Sequence, residues 1–457
     1  MPSISQLRAP AGRRRRTTSL CIALALSAAH EPVPAATVTE AVPSGTINVT
    51  SCDDAGPGTL RDTLAAAVDH DEVFFGNLTC STITLTTGAL ATAADNISVF
   101  GSTAITVTAN GNSQVLVHSG HGVLRIDNAV FADGDEEATT YAQGGCVYSS
   151  GSVAMTNSTI RNCHARSTGT FAPFAAGGGV FAHDALYLTS SSVTDNELTG
   201  AAVSYSAAVG GGVYSFGPIH IDRSVISRNT VDGGACCYTN GGGVATRSSL
   251  QLRYSEISDN EAFTGGGAYF GSNGDLSTIE SSTISGNHAA SGPGGVRSWD
   301  TLLIVRNSTI AFNSSDTLNV FGGGLAVGQA GGYLVLRSSI ISNNTAGGSP
   351  ADICCVLPGR VLGASNMVTS YFGSIPPDTI VGDPELSPLA AHGGPTRTHA
   401  ISPNSLARDA GSVYANTSYD QRGPGFARTV GIRQDIGAYE LQSSAPPDTI
   451  FENGFDP

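Results

Sequence analysis

A short acidic insert holds the densest group of side chains in the sequence that could do chemistry. It reads Asp133-Gly-Asp135-Glu136-Glu137 and places four carboxylates within five residues. Carboxylate oxygens are the ligands that calcium prefers, so Asp133, Asp135 and Glu136 are candidate metal ligands. The competing interpretation is a solvated loop, because a run of like charges is usually exposed. We predict no cofactor other than this calcium ion.

Arginines recur at one place in a repeated pattern, at Arg223, Arg253, Arg306 and Arg337. A polysaccharide lyase needs carboxylates that hold calcium and a base, often arginine or lysine, on the same face. Such an arginine row would suit that chemistry, or it would contact a ligand. The simpler alternative, which we favour, is a stripe of solvated charges on outward-facing turns.

The elements that position these residues are units repeated along the chain. With Ile226 as reference, apolar residues lie seven and five positions earlier, serine two earlier and asparagine three later. The register fits more weakly in the first unit, and Cys163 takes the asparagine position in the second. The reference residues are Phe131, Ile160, Val193, Ile226, Ile257, Ile284, Ile310 and Ile341. Their spacing of 26 to 33 residues indicates stacked units whose loops differ.

Each unit is expected to contain three short strands. Apolar residues two apart indicate the first strand, and the reference residue lies in the second. A third strand follows each glycine triplet, as at Val180, Val213 and Val244. This pattern predicts an all-β solenoid whose coils each add one strand to each parallel sheet. At about 4.8 Å per coil, the eight units would form a rod roughly 40 Å long.

Asparagine and glycine recur at fixed positions of this register. Equivalent side chains of a solenoid lie above one another, so asparagine amides can form a ladder that bonds to the backbone at each bend. Glycine suits a sharp turn that needs a positive φ. A leucine-rich repeat also has such an asparagine, but it needs shorter units and a second apolar stretch. The predicted structural ladder consists of Asn196, Asn229, Asn260, Asn287, Asn313 and Asn344.

Composition and the N-terminal segment point to an exported protein. The chain has 457 residues, 57 of them glycine, and only 13% are charged, which is typical of a β-rich extracellular protein. Residues 1–36 combine an arginine cluster, a short apolar run and small residues, as a secretory signal peptide does. The apolar run is too short to span a bilayer, and we expect no transmembrane helix in the mature chain. The net charge of −15 argues against nucleic acid and, without bridging calcium, against polyanions.

Cysteine pairing is expected in such a chain. Eight cysteines remain once the signal peptide is removed, and an even number in an exported protein favours disulfides. Local pairing would join Cys52 with Cys80 and Cys146 with Cys163. The other four form two adjacent pairs, Cys236–Cys237 and Cys354–Cys355. These pairs lie about four coils apart, roughly 19 Å, which is too far for a direct bridge, so their partners stay open.

The N-terminal and repeat segments resemble bacterial surface proteins. Residues 53–67, DDAGPGTLRDTLAAA, resemble the N-terminal cap of bacterial β-helix surface proteins. The spacing of Leu60, Leu64 and Val68 predicts one face of a short helix within this cap. The GGGV and I-x-x-N signatures resemble the repeats of polymorphic outer-membrane proteins.

The C-terminal segment carries a more specific resemblance. Residues 382–440 run from GDPELSPLAAHGGPTRTHAISPNSLARDAG to DQRGPGFARTVGIRQDIGAYE and resemble the choice-of-anchor Q domain. That family has DP-x-L, GG-x-T-x-T, DAG, D-x-RG and DIGA-x-E, and this chain departs from it at Asn404-Ser405-Leu406, where the family usually has Ser-Pro. The resemblance implies a right-handed parallel β-helix of the pectin-lyase-like type, outside the cell or at its surface, with no known catalytic residues.

These observations divide the chain into five parts. We expect a signal peptide at 1–36, an N-terminal cap with the first strands at 37–80 and a parallel β-helix at 81–355. A choice-of-anchor Q-like C-terminal domain follows at 356–441, and a linker and tail at 442–457.

One tripeptide matches a motif of enzymes that cleave carbohydrates. Gly120-His121-Gly122 resembles part of the polygalacturonase site, which also needs Asn-Thr-Asp, an Asp-Asp pair on neighbouring coils and Arg-Ile-Lys. The chain contains no lysine, and its one Asp-Asp pair, Asp53-Asp54, lies in the cap. We therefore predict no catalytic residues.

Two functions from different classes remain. The favoured one is a monomeric surface or secreted rod that binds a glycan or a cell surface through its loops, without cleavage and without nucleic acid. The alternative is a divergent polysaccharide lyase or glycoside hydrolase of the same fold. Outward carboxylates that converge on adjacent coils would favour the enzyme.

Overall fold

A computed structural model describes residues 45–442, apart from short internal segments. Those segments are residues 172, 202–206, 234–237, 272–275, 300–301, 318–321, 329–331, 355–358 and 413–416. The predicted signal peptide, most of the tail and three of the unassigned cysteines lie outside the described residues; the three are Cys236, Cys237 and Cys355.

Three long parallel sheets form the rod. Sheet A contains Gly45–Asn48, Asp71–Phe74, Ile97–Phe100, Val123–Asp127, Ser152–Thr156, Leu186–Thr189, Ile219–Asp222, Leu250–Arg253, Leu276–Glu280, Leu302–Arg306, Tyr333–Arg337 and Val361–Ala364. Sheet B contains Thr82–Thr84, Thr106–Thr108, Val130–Ala132, Thr159–Arg161, Ser192–Thr194, Val225–Ser227, Glu256–Ser258, Thr283–Ser285, Thr309–Ala311, Ile340–Ser342, Met367–Val368 and Ile380–Val381. Sheet C contains Leu90–Thr92, Leu116–His118, Val147–Ser149, Val180–Ala182, Val213–Ser215, Val244–Thr246, Ala268–Gly271, Val296–Trp299, Leu325–Val327 and Ile353–Cys354. Each coil runs from sheet C to sheet A to sheet B.

Two smaller sheets project from the rod and form a fin. Sheet D contains Asp135–Ala138, His164–Ser167, Glu197–Thr199, Thr230–Asp232, Glu261–Ala262, His288–Ala289, Ser314–Ser315, Thr345–Ala346 and Ser349–Pro350. Sheet E contains Tyr141–Gln143, Phe174–Ala176, Ala207–Val209 and Tyr238–Asn240. Small apolar side chains pack together along the two sheets, among them Ala165, Leu198 and Ala208. Strands of sheet D follow the asparagine bend directly, as Glu197–Thr199 follows Asn196, and the four described strands of sheet E lie in the loops beyond them.

Strand alternation places the repeated apolar residues inside the rod. Ile257 pairs in register with Ile226 of one neighbouring coil and with Ile284 of the other. All eight reference residues of the repeat have no solvent-exposed surface. β-Branched side chains suit such a surface because they pack well on a pleated sheet. The predicted all-β parallel β-helix is confirmed.

A continuous asparagine ladder follows sheet B. Oδ1 of Asn260 accepts hydrogen bonds from the backbone N and from Nδ2 of Asn229, both at 2.9 Å. Nδ2 of Asn260 donates to the carbonyl of Ile226 at 3.0 Å. The same contacts repeat from Asn196 to Asn344, where Oδ1 of Asp352 accepts the last pair of hydrogen bonds at 2.9 Å. Buried polar groups at this bend are therefore satisfied by the next coil.

A second ladder, of serines, lines the bend between sheets A and B. The backbone N of Ser224 donates to Oγ of Ser255 at 3.1 Å, and the backbone N of Ser255 donates to Oγ of Ser282 at 3.1 Å. The residue before each serine has a positive φ, for example Arg223 at 47° and Tyr254 at 49°. These two bends are tight because one left-handed residue and one side chain close each of them.

The first coil is covered by the helix Leu60–Ala66. The side chain of Thr59 caps it by accepting a hydrogen bond from the backbone N of Asp62 at 3.2 Å. Leu60 and Leu64 are buried against the coil, as predicted. Val68 lies beyond the end of the helix and is 61% exposed, so its predicted place on the same face is wrong.

Two disulfides join the cysteines that are close in sequence. Cys52 bonds to Cys80, and Cys146 bonds to Cys163. Disulfides of this kind are typical of oxidising compartments outside the cytoplasm. In the described residues, no helix combines the length and hydropathy needed to cross a membrane.

Residues 382–442 form a C-terminal module that packs on the outer face of sheet B. Arg397 donates from Nη2 and Nε to Oε1 of Glu256, at 2.6 and 2.9 Å. Oε1 of Gln421 accepts a hydrogen bond from the hydroxyl of Thr283 at 2.5 Å. The backbone N of Ala438 donates to Oγ1 of Thr309 at 3.0 Å. Through these polar contacts the module covers three successive coils.

The motif residues of the C-terminal module form its buried centre. The guanidinium of Arg422 lies between the rings of Phe426 and Tyr439, 4.1 and 3.9 Å from their centroids. The same guanidinium donates to Oδ2 of Asp420 at 2.6 Å. The D-x-RG pattern is thus structural, because it holds together a segment with little regular secondary structure.

Glu440 closes the same buried centre. Its two oxygens accept hydrogen bonds from the backbone N of Val430 at 2.8 Å and of Asp435 at 2.7 Å. Burial raises the pKa of Glu440 to about 7, against the opposing charge of Arg428. A carboxyl group whose pKa is higher in the folded than in the unfolded protein stabilises the fold at pH values below its unfolded pKa. This stabilisation is lost as the pH rises through its pKa in the folded protein.

We predict that Asn260→Leu lowers the free energy of unfolding. The change leaves the backbone N of Asn229 and the carbonyl of Ile226 without partners, at about 1–3 kcal/mol for each buried group. Chemical denaturation would measure the loss. Asn404→Leu, at an exposed asparagine of the module, is the control and should change stability by less than about 0.5 kcal/mol. Equal stabilities for the two variants would contradict the ladder's role.

We predict that the C-terminal module becomes less stable as the pH rises from 5 to 8. The cause is the ionisation of Glu440 in a buried site, so Glu440→Gln should flatten the dependence of unfolding free energy on pH. Denaturation at several pH values would test this, with the exposed Glu385→Gln as control. An unchanged slope in Glu440→Gln would contradict the assignment.

Candidate functional site

The outer face of sheet C carries a column of aromatic side chains. The residue after each buried valine of this sheet points outward, and parallel pairing aligns Tyr148, Phe181 and Tyr214 in successive coils. Ala245 and Tyr269 continue the column, and Arg297 follows Tyr269. Aromatic residues thus stack along the rod axis at the strand spacing of about 4.8 Å.

The middle of the column is packed as a second small core. The rings of Tyr148 and Phe181 are stacked at a centroid distance of 5.4 Å with an interplanar angle of 4°. Phe181 and Tyr214 follow at 5.9 Å. Phe174 of the fin and Phe216 cover them edge-on, so Phe181 and Tyr214 are almost completely buried. The inner rings therefore hold the fin against the rod.

The distal end of the column is open and combines aromatic rings with arginine. Arg247 is exposed, and its guanidinium lies 5.4 Å from the centroid of the Phe216 ring. The Trp299 side chain is 43% exposed, and the guanidinium of Arg297 lies 4.8 Å from its ring centroid. We call the group Phe216, Arg247, Tyr269, Arg297 and Trp299 the aromatic–arginine band. Arg247 and Trp299 are exposed, Phe216 and Tyr269 are half-buried, and Arg297 is buried.

A glycine makes room for the tryptophan of the band. Gly271 pairs with Trp299 in the neighbouring coil. A β-carbon at Gly271 would lie 2.9 Å from that of Trp299, closer than side-chain carbons normally approach. Glycine at position 271 therefore permits a close approach to the backbone and β-carbon of residue 299 in the neighbouring coil.

The two arginines of the band act on the same tyrosine. Burial raises the pKa of Tyr269, and the charges of Arg297 and Arg247 oppose this shift. Burial also raises the pKa of Tyr214 to about 12, with Arg247 again opposing it. Both guanidinium groups therefore direct positive potential toward the phenol of Tyr269. The band can offer a ligand flat apolar surfaces together with cationic hydrogen-bond donors.

The three predicted calcium ligands lie at the base of the fin and do not converge. Oδ2 of Asp133 accepts a hydrogen bond from Oγ1 of Thr108 at 2.9 Å, at the corner that precedes sheet D. Asp135 and Glu136 are adjacent in a strand of sheet D and so point to opposite faces of it, with Asp135 3.5 Å from Nδ1 of His164. Burial raises the pKa of Glu136. Among the described residues, no three His, Cys, Asp or Glu side chains form a group that could hold a metal ion.

The arginine row lies along one edge of sheet A and alternates with carboxylates. Strand register aligns Asp222, Arg253, Glu280 and Arg306 in successive coils. Nη2 of Arg306 lies 2.8 Å from Oε2 of Glu280, and Arg223 pairs with Asp222. The charges therefore alternate from Asp222 to Arg306, and the row ends in two adjacent arginines, because Arg306 aligns with Arg337.

The Gly-His-Gly tripeptide lies at a corner between sheets C and A. His121 is exposed, and its backbone N donates to Oδ1 of Asp95 at 2.9 Å. The neighbouring His118 is buried and contacts the hydroxyl of Ser149 at 2.7 Å and the carbonyl of Ala94 at 2.8 Å. Asp54 of the cap pairs with Arg61 at 2.6 Å. The structure thus places the Asp-Asp pair at the rod end.

One serine and one histidine meet at hydrogen-bonding distance beneath the C-terminal module. Oγ of Ser285 lies 2.8 Å from Nε2 of His399, and Nδ1 of His399 lies 2.7 Å from the carbonyl of Ser387. This arrangement resembles a catalytic triad in which Ser285 would be the nucleophile, His399 the base and the carbonyl of Ser387 the orienting group. Both side chains are 2% exposed, so a substrate has no access, and the pair serves to dock the module.

A repeated aromatic position in the sequence indicates the aromatic column, and it was not among the candidate sites predicted above. An aromatic residue follows the buried apolar residue after the glycine-rich turn at Tyr148, Phe181, Tyr214 and Tyr269. Alternation within a strand turns that position outward, so a repeated aromatic there indicates an outer column. The exposure of Trp299 and the stacking of arginine on the rings depend on the tertiary structure, and the spacing of residues in the sequence does not predict them.

Comparison with known proteins adds little about chemistry. No family model and no curated protein sequence matches the chain. Among solved structures, the chain is similar to the crystal structure of pectate lyase Pel9A, with 12% identity and a TM-score of 0.41. That alignment covers 88% of this chain and 97% of the pectate lyase chain.

We predict that the inner rings of the column are structural. Phe181→Ala should lower the free energy of unfolding by about 3–5 kcal/mol, because it opens a cavity between sheet C and the fin. Tyr141→Ala, at a tyrosine of the fin that is 65% exposed, is the control. Denaturation of both variants would test this, and a similar small loss in each would contradict a packed column.

Proposed function

We propose that this protein is an exported β-helix rod that binds glycans through the aromatic–arginine band. The observation that carries this proposal is the Trp299 ring, which is exposed at the rod surface while Arg297 supports it at 4.8 Å. A sugar ring packs its C–H face on an aromatic face and bonds its hydroxyls to fixed donors at the rim. The band offers both kinds of contact on neighbouring coils.

The geometry of the rod suits an extended ligand. Tyr269 and Arg297 occupy equivalent positions in adjacent coils, so the contact surface follows the rod axis. A polymer that lies along this axis would meet Arg247, Tyr269 and Trp299 in three successive coils. The fin stands beside the column through Phe174 and Phe216, whose rings are stacked at a centroid distance of 6.4 Å. It would limit how a chain approaches from that side.

Binding without cleavage is supported by the use of the acidic side chains. Glu256 is fully buried and bonded to Arg397, and Glu280 pairs with Arg306. A lyase or hydrolase needs carboxylates or bases that reach the substrate, whereas these groups hold the structure together. Export and a place at the cell surface belong to the same proposal, supported by the disulfides and by the secretory character of residues 1–36.

We predict that Trp299→Ala weakens glycan binding by about tenfold or more, because aromatic anchors carry a large part of such contacts. The purified protein would be screened on immobilised plant, algal and animal polysaccharides with calcium, and hits measured by calorimetry. The matched control is Phe372→Ala, which removes an aromatic residue of similar prominence, 74% exposed, near the end of the rod.

The outcomes separate binding from catalysis. Saturable binding that falls in Trp299→Ala and not in Phe372→Ala supports the proposal. Binding that is equal in both variants would place the ligand elsewhere and contradict it. Sustained release of unsaturated products or new reducing ends would instead favour a divergent lyase or hydrolase.

A further inference from the structure

A second row of outward residues lies beside the aromatic column of sheet C. It consists of the residues two places after those of the column, which alternation within a strand turns to the same face. Trp299 pairs with Gly271 of the preceding coil. Arg247 directly follows Thr246, whose partner Phe270 directly precedes Gly271. Arg247, Gly271 and Trp299 therefore follow one another along the rod axis in three successive coils.

The glycine leaves a dip in the middle of this row. Gly271 is half-buried and carries no side chain, and the exposed Arg247 and Trp299 lie in the coils before and after it. The α-carbons of residues two coils apart are separated by about 10 Å. Tyr269 precedes Gly271 by two residues in the same strand and borders the dip on a third side.

The two flanking side chains are held at the sides of the dip. The guanidinium of Arg247 lies 5.4 Å from the centroid of the Phe216 ring, which belongs to the preceding coil. The Trp299 ring centroid lies 4.8 Å from the guanidinium of Arg297, a residue of its own strand. Arg247 is thus drawn toward the coil before it and the indole along its own strand, so both contacts leave the backbone at Gly271 accessible.

The row offers ligand contacts over a limited length. Phe216 precedes Arg247 in the row, and its ring stacks on Phe174 of the fin at a centroid distance of 6.4 Å. In the other direction the row continues from Trp299 to Gly328, which has no side chain to offer. A ligand that lies along the row therefore meets side chains in three coils, between the fin and Gly328.

We propose that the band binds a straight glycan chain with equatorial linkages, that the chain lies along the rod axis with about one sugar for each coil, and that one sugar ring occupies the dip at Gly271. This inference rests on the proposed function, because it names the ligand class of the same band. Pyranose rings joined through equatorial bonds form a straight ribbon, and each ring advances the chain by a length close to the coil spacing of about 4.8 Å. Axial linkages turn the chain, so the next sugar leaves the row.

The shape of the dip favours flat sugar rings. A pyranose whose substituents are all equatorial, such as glucose or xylose, presents C–H faces that pack on the rings of Tyr269 and Trp299. Its hydroxyl oxygens lie at the rim of the ring, where the guanidinium of Arg247 can donate hydrogen bonds to them. An axial substituent makes the ring thicker and disturbs its packing in the dip.

Matched oligosaccharides would test the linkage. Cellohexaose and maltohexaose contain the same number of glucose units and differ in the configuration of their linkages. We expect cellohexaose to bind at least about tenfold tighter than maltohexaose in calorimetry, because the straight chain keeps several rings on the row. Xylohexaose, which is also straight and has equatorial substituents, should share this preference over maltohexaose.

A series of cello-oligosaccharides from two to six sugars would test the placement along the rod. Affinity should rise up to three or four sugars and then stay level, because side-chain contacts cover three coils. In Trp299→Ala the rise should end about one sugar earlier, since one ring contact is lost. Phe372→Ala, at an exposed aromatic residue near the end of the rod, is the control and should give the wild-type series.

A third variant fills the dip. A β-carbon in Gly271→Ala would lie 2.8 Å from the carbonyl oxygen of Trp299, so thermal unfolding must first show that the fold is intact. The folded variant should bind cellohexaose more weakly than the wild type. The linkage and length measurements use the wild-type protein and decide the inference whether or not this variant folds.

The outcomes separate this inference from the proposed function. Equal affinities for cellohexaose and maltohexaose would overturn the inference, as would an affinity that does not grow beyond two sugars. Failure of both cellohexaose and xylohexaose to bind would also overturn it. In each case a polysaccharide hit in the earlier screen that depends on Trp299 would leave glycan binding in place, and a screen without any hit would overturn both proposals.

Discussion

The structure depends on one constraint, which is that the strands and bends of each coil hydrogen-bond to the equivalent strands and bends of the next coil. The asparagine ladder shows the constraint most clearly. Asn229 bonds through its backbone and side chain to Asn260, which does the same with Asn287. A bend that lacked this amide would leave buried backbone groups unsatisfied, at a cost of about 1–3 kcal/mol each. The ladder therefore fixes where each of the six coils that contribute an asparagine turns, and with it the direction of the outward side chains in the adjoining strands.

Outward side chains consequently form columns, and the neighbours within a column decide what each residue can do. On sheet A, Glu280 of the preceding coil forms an ion pair with Arg306 and compensates its charge. Beside sheet C, the exposed Arg247 lies over the Phe216 ring, so its guanidinium stacks on an aromatic side chain. The same residue type thus has a structural role on one face and a proposed binding role on another.

The C-terminal module shows how the rod tolerates polar residues on a covered face. Glu256, Thr283 and Ser285 point outward from sheet B and would be solvated on a bare rod. The module supplies Arg397, Gln421 and His399 as their partners. Such an interface is stable only while every buried group is paired, and this explains why the module contributes so many side chains to the contact.

The sequence by itself determined the coil. Because strand residues alternate and coils repeat, spacing alone identified the core residue Ile257 and the ladder position of Asn260, together with the local cysteine pairs. The fin was not predicted. Strands of sheet E lie in loops of variable length, and strands of sheet D have no alternating apolar pattern long enough to indicate a strand, although several begin directly after an asparagine of the ladder. The helix was predicted about one turn too long at Val68, because a four-residue spacing does not show where a helix ends.

Only the tertiary structure decided which outward residues could serve a ligand. Charges such as Asp133 and Arg306 looked free in the sequence, yet folding places them beside Thr108 and Glu280. Trp299 carried no motif, and it became a candidate because Gly271 of the preceding coil leaves space for it. Alternation along one strand is a local property that a sequence displays. The repeat register predicts which positions stack in neighbouring coils. The contacts that an outward side chain makes there also depend on its direction and on the loops that cover it, and residue spacing does not give these.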